Sequence, residues 1–270
     1  MSGPEDAALT DFLARMPWAP HCPIRGNLAI GNLRENLLQA MSTERGIHAE
    51  TLMAAIGALA GFAAQNAALD RAAAVTLAGE SLEQYSVILV DTKTGERHLV
   101  GEWINEPLFE SRGDGSFPLW GFIAAAAQDG GAALDRLADI REMAGHVAGS
   151  LGGPDYGKLR APAGHTPGMQ PNDLLAHLWP LLGQIIRLPA PQSIEEREPP
   201  LSEMHWPVII SIVAGQYLRM IKDVLAPQIA FALCMESAVI SSKLDPERIE
   251  PGKWELQPVA GRLTVRRLRS

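Results

Sequence analysis

The sequence predicts an α+β, predominantly α-helical protein. Its layout is a helical globule around a central apolar helix, about 49–77, with a small antiparallel hairpin, about 85–104. Three features lead there. The segment Ala49 to Ala74 has no solvent face through its first half. Leu52, Ile56 and Leu59 fall on one side at helical spacing, while Ala54, Gly57, Gly61, Ala64 and Ala68 fall on the other. A helix that is apolar all round must be covered all round. Two β-branched, apolar runs, Tyr85–Val90 and Arg97–Ile104, then flank Asp91-Thr92-Lys93-Thr94-Gly95. Glycine at the end of such a loop supplies the positive φ that closes a hairpin. Most of the remaining chain repeats its apolar residues at helical period.

The elements follow in order. A first helix is expected over Glu5–Met16, with Leu9, Phe12, Leu13 and Met16 on one face and Pro17 as its stop. Prolines at 17, 20 and 23 make 17–26 irregular. A second helix covers Asn32–Met41 with Leu33, Leu37, Leu38 and Met41 inward. The central helix runs to Leu77, where Gly79 is a stop signal. After the hairpin, Phe117–Gln128 reads as a short apolar helix and Leu134–Val147 as an amphipathic one. The glycine- and proline-rich stretch 151–171 has no period and reads as a long loop. Asn172–Leu188 is helical, with Pro180 expected to kink or split it. Pro189–Pro200, with Glu195, Glu196 and Glu198, reads as a solvated connector. Trp206–Leu225 and Gln228–Lys243 are helices separated by Pro227. Val259–Leu268 alternates Leu263 and Val265 with Arg262, Thr264 and Arg266, which allows one strand joining the hairpin. A lone hairpin is marginal in water and needs such a cover. The 270 residues read as a single domain, with 151–171 the best place for a weak subdivision.

Composition narrows the functional classes. The chain is 47% hydrophobic and 20% charged, as ordinary globular proteins are. A net charge of −8 leaves no electrostatic footprint for nucleic acid. The basic tail Arg262, Arg266, Arg267 and Arg269 lacks an interleaved aromatic platform and reads as a solvated strand end. Cys22 and Cys234 show neither a disulfide framework nor a zinc spacing, so a reducing, cytoplasmic setting is expected. The start, MSGPEDAAL, is acidic where a signal peptide is basic. No integral membrane span is expected: 52–69 is interrupted by Gln65 and Asn66, and 206–218 reaches only thirteen residues before Arg219.

Several residues stand out as site candidates. Gly57 and Gly61, four apart, let another backbone approach closely. They mark a helix–helix contact, within one subunit or across a homodimer. Glu236 lies on the apolar stripe of Ile229, Leu233 and Ile240. A carboxylate buried there is either a general acid or base or one half of a structural ion pair. His177 shares an edge with Gln184 beside the stripe Leu174, Leu178, Leu181 and Ile185, and completes the acid–base pair of that reading. Trp206 is a helix start or a pocket wall, and Gly215 beside Gln216 opens space for a ligand or another helix. The seven histidines form no HxxxH or HExxH pair, so neither a metal site nor a cofactor is expected. His48 and Glu50, two apart, are expected on different helix faces. Gly152–Lys158 fits GxxxxGK, yet Leu159 stands where a phosphate loop needs Ser or Thr, and no strand precedes it.

Three functional classes remain. Preferred is a noncatalytic ligand- or partner-binding helical protein that takes a small molecule or forms a homodimer. The alternative is an enzyme with Glu236 and His177 as acid and base. The third is a membrane-peripheral protein using the apolar block 206–240, against which the net charge counts.

Overall fold

The computed structural model describes residues 11–109, 117–186, 191–259 and 262–268. The expected helix start at 5–10, the end of the helix at 187–188 and Arg269 lie outside these. Residues 11–14 are helical.

Helix α1 spans Pro23–Met41, nine residues earlier than its periodicity suggests. The prolines misled the expectation, because a proline in the first turn needs no N–H there. The Glu198 carboxylate supplies the missing cap, accepting from the Ile24 N–H (3.1 Å) and the Arg25 N–H (2.9 Å). Glu198 is therefore buried, not solvated, while Glu195 and Glu196 are exposed as expected.

Helix α2 spans Ala49–Leu77 and forms the axis of the molecule. It is long and apolar enough to cross a bilayer, but 94% of its most apolar window is buried within the chain. Gln65 and Asn66, deep within it, are buried because each has a structural task. Gln65 donates its amide to the Ser242 (3.0 Å) and Leu244 (2.6 Å) carbonyls. Asn66 accepts at Oδ1 from Lys253 Nζ (2.9 Å) and Trp254 Nε1 (3.2 Å).

Strands β1 (Ile88–Asp91) and β2 (Arg97–Val100) pair antiparallel, with Asp91 opposite Arg97 and Gly95 at φ 83° closing the loop. The second run does not continue to Ile104. At Gly101 the chain adopts φ 145° and starts helix α3, Glu102–Phe109. Helix α4 covers Leu119–Asp129. The next expected helix divides into a 3-10 turn, Leu134–Arg136, and helix α5, Ile140–Ser150. Asp139 accepts from the Arg141 N–H (2.8 Å) and so sets the true helix start. Helix α6, Pro171–Ile186, runs through Pro180 without interruption. The connector after it holds the one-turn helix α7, Gln192–Glu195. Helices α8, Trp206–Ile221, and α9, Pro227–Ser241, complete the helical layer, each with a proline in its first turn.

Strand β4, Arg262–Arg267, lies where a strand is expected but does not join the first hairpin. Its partner is β3, Trp254–Val259, a strand the alternation did not reveal. The fold thus holds two separate two-stranded sheets. The main apolar cluster surrounds α2 from Leu52 to Ala64. The second joins its far end, Ala68, Leu69 and Ala72, to Leu99 of one hairpin and Trp254 and Val265 of the other.

Candidate functional site

Helix α8 carries the site because it crosses α4 closely. Gly215 permits the crossing: a Cβ there would lie 3.2 Å from the Phe122 carbonyl oxygen. The space next to Gly215 therefore receives another helix. On the same helix, Gln216 and Arg219 line a different feature, an aromatic cleft of ≈ 600 Å³. Phe12 of the helical turn and Phe109 at the end of α3 form one side. Phe117 and Pro118 lead into α4, which adds Trp120, Phe122 and Ala125. Ile212, Gln216 and Arg219 of α8 form the floor and one lip.

The rings make a connected set. Phe12 meets Phe117 edge-on (6.3 Å between centroids, 77°) and Phe122 likewise (6.2 Å, 85°). Phe117 and Phe122 are tilted by 33° at 6.1 Å. Four of the six phenylalanines in the chain, residues 12, 109, 117 and 122, line this one cleft. All four are half-buried. The polar atoms are few. Arg219 Nε donates to Asp129 Oδ2 (2.8 Å), which holds the guanidinium at the lip. Gln216 Oε1 is buried and accepts no hydrogen bond among the described residues.

Trp206 and Gln184 meet in a second cleft, of ≈ 470 Å³, lined also by Trp179, Gly183 and Glu250. Trp206 is a wall there, packed on Trp179 at 5.7 Å between centroids. Both indoles are buried (3% and 4% exposed), so they offer this cleft little but their rims. Glu250 is engaged by Lys253 (2.8 Å), which also reaches Glu203 (2.9 Å).

The structure gives Glu236 and His177 different partners. Glu236 Oε1 accepts from Arg160 Nε (2.9 Å) and Oε2 from the Arg160 N–H (2.9 Å). Arg160 also reaches Glu142 (3.3 Å), and its bond to Glu236 raises its pKa. This is the ion-pair reading of Glu236, tying the 151–170 loop to α9. His177 lies exposed on α6, where Nδ1 donates to the Asp173 carbonyl (2.7 Å).

Gly57 and Gly61 face α9 of the same chain. A Cβ at Gly57 would overlap the Cys234 carbonyl, and one at Gly61 the Ala238 carbonyl. The pair is used within the subunit and leaves no open glycine face for a second copy. Cys234 is fully buried behind it, and burial pushes its thiol pKa up, away from a reactive thiolate.

His48 departs from its expected placement. It precedes α2 as its cap residue, so its ring is free to reach Glu50 (Nε2 to Oε2, 3.3 Å). His165, from the 151–170 loop, meets the other oxygen (2.9 Å). Burial of Glu50 works to raise its pKa, but the His165 hydrogen bond and both imidazoles leave it lowered overall. Among the described residues no group of three or more His, Cys, Asp or Glu is placed to hold a metal ion.

Sequence reasoning found Gln216 but missed the aromatic wall opposite it. The signal was available only as composition: a few phenylalanines spread over three segments that share no local period. No family model matches this chain, and no curated protein or solved structure matches it.

Proposed function

We propose that the protein is a noncatalytic binder of a small apolar ligand, held in the cleft between α4, α8 and Phe12. The observation that carries this reading is the gathering of four half-buried phenylalanines with Trp120 around ≈ 600 Å³. That volume falls in the range of small-molecule sites, which are mostly apolar with a few placed polar groups. A cleft of this volume has room for a molecule of about one or two rings. Binding is favoured over acid–base chemistry because Glu236 is paired with Arg160 and His177 is exposed and bonded to the Asp173 carbonyl. The membrane-peripheral reading loses its surface: in the block 206–240 most apolar side chains are buried, and Met220 and Val224 are the large ones left exposed.

The test uses 1-methylindole as an apolar, planar probe, titrated calorimetrically into the intact protein. Saturable binding with one site is expected. Ala125 is exposed at the cleft rim, so Ala125→Trp fills the space while leaving the fold alone. That variant is expected to weaken the probe at least tenfold. Equal binding by both proteins, or none by the wild type, contradicts the reading.

A further inference from the structure

We infer that the molecule held in the aromatic cleft is a carboxylic acid, with its apolar, ring-bearing body among the phenylalanines and its single carboxylate on the Arg219 guanidinium. The inference rests on the binding reading above and adds the chemical class of the ligand. Among the described residues that line the cleft, Arg219 is the one that carries a charge. A ligand can reach it, because its side chain keeps 46% of its surface exposed while lining the same space as the rings.

The guanidinium is held in place without being used up. Nε donates to Asp129 Oδ2 (2.8 Å), which joins α8 to the last residue of α4. Nη1 lies back along α8, 3.5 Å from where a Cβ on Gly215 would sit, and that same point is 3.2 Å from the Phe122 carbonyl oxygen. The bare backbone at Gly215 therefore leaves the guanidinium room beside the α4–α8 crossing, where Phe122 also lines the cleft. A guanidinium presents five N–H donors in a planar fork. Among the described residues Asp129 takes one of them. The Nη groups remain for a planar partner with two oxygens, which a carboxylate is.

Charge limits the ligand further. Asp129 offsets part of the guanidinium charge from outside the cleft lining, so a monoanion is matched and a phosphate dianion is not. The chain as a whole, at −8, repels anions, but salt screens that field over about 8–10 Å. At contact the nearest charge decides, and an exposed pair of this kind contributes modestly. The Phe12, Phe117 and Phe122 rings, about 6 Å apart at steep or tilted angles, then take the ring of the ligand by edge-to-face and stacked contacts.

The experiment compares 1-methylindole-3-acetate with 1-methylindole-3-acetamide, which share a shape and differ in charge. Both are titrated calorimetrically at neutral pH into the intact wild-type protein, Arg219→Gln and Asp129→Asn. The wild type is expected to bind the acetate about fivefold more tightly than the acetamide. Arg219→Gln is expected to erase that ratio with little change in its urea midpoint, since an exposed ion pair adds little to stability. Asp129→Asn releases the guanidinium and is expected to keep or widen the ratio; a narrowed ratio contradicts the assignment even if Arg219→Gln fails to fold. Equal affinity of the wild type for the two compounds, a preference for the acetamide, or rejection of both while 1-methylindole binds overturns the carboxylate class and leaves the binding function standing. A preference for the acetate that survives in Arg219→Gln removes Arg219 as its receptor. Failure of all three compounds to bind the wild type overturns the function itself.

Discussion

Lys243 shows how one residue ties a local contact to a property of the whole protein. It follows α9, is buried to 7% exposure, and donates from Nζ to Asn105 Oδ1 (2.6 Å). Burial pulls its pKa from 10.5 down to about 8. Between those two values the folded protein binds fewer protons at this site than the unfolded chain. The cost of burying the charge is therefore present in full below pH 8 and fades as the pH climbs to 10.5. Lys243→Met is expected to be more stable than the wild type at pH 7 by about 2 kcal/mol, after the loss of the Asn105 bond is set against the removed charge. Urea unfolding of both proteins from pH 7 to 10.5 checks this. The gap must shrink as pH rises; a constant gap means the amine is not desolvated as described. Glu236 teaches a related lesson. Its position on an apolar stripe was legible in the sequence, but its partner Arg160 was not, because the two are joined only by the path of a loop without period.

At the level of elements, the sequence shows most clearly what local period dictates. Helix α2 appears where its all-round apolar pattern places it, and the β1–β2 turn closes at Gly95. Boundaries set by distant partners were hidden. The start of α1 depends on Glu198, some 174 positions away. Strand β3 alternates poorly, and only its pairing with β4 defines it. The α2–α9 crossing is the strongest element-level consequence of sequence. Gly57 and Gly61 let two helices meet backbone to backbone, with carbonyl oxygens of α9 occupying the room that a Cβ would need. Since the colliding atoms are backbone, neither side can yield by changing a rotamer. Gly57→Ala and Gly61→Ala are each expected to destabilise the protein by about 2–3 kcal/mol, despite the better helix propensity of alanine. Gly145→Ala, on α5 with nothing near its would-be Cβ, is the control and is expected to be neutral or slightly stabilising. Equal midpoints in urea for all three variants contradict the close crossing.

On the scale of the whole molecule, α2 passes through two apolar clusters, and the aromatic cleft lies at the edge of the first, which supplies Ile212 and against which the cleft's rings pack. The core fixes the backbones that carry the cleft, while the rings themselves stay half-buried. That division explains why the fold was readable and the site was not: core positions repeat with the helix, whereas the cleft collects residues from four segments. The measurement that tests the account most directly is a set of intermolecular NOEs from bound 1-methylindole to the carbon-13-labelled protein. The account predicts contacts to the methyl groups of Ile212 and Ala125 and to the rings of Phe117 and Phe122. Contacts confined to Trp179 and Trp206, or an absence of any at saturating probe, would contradict it.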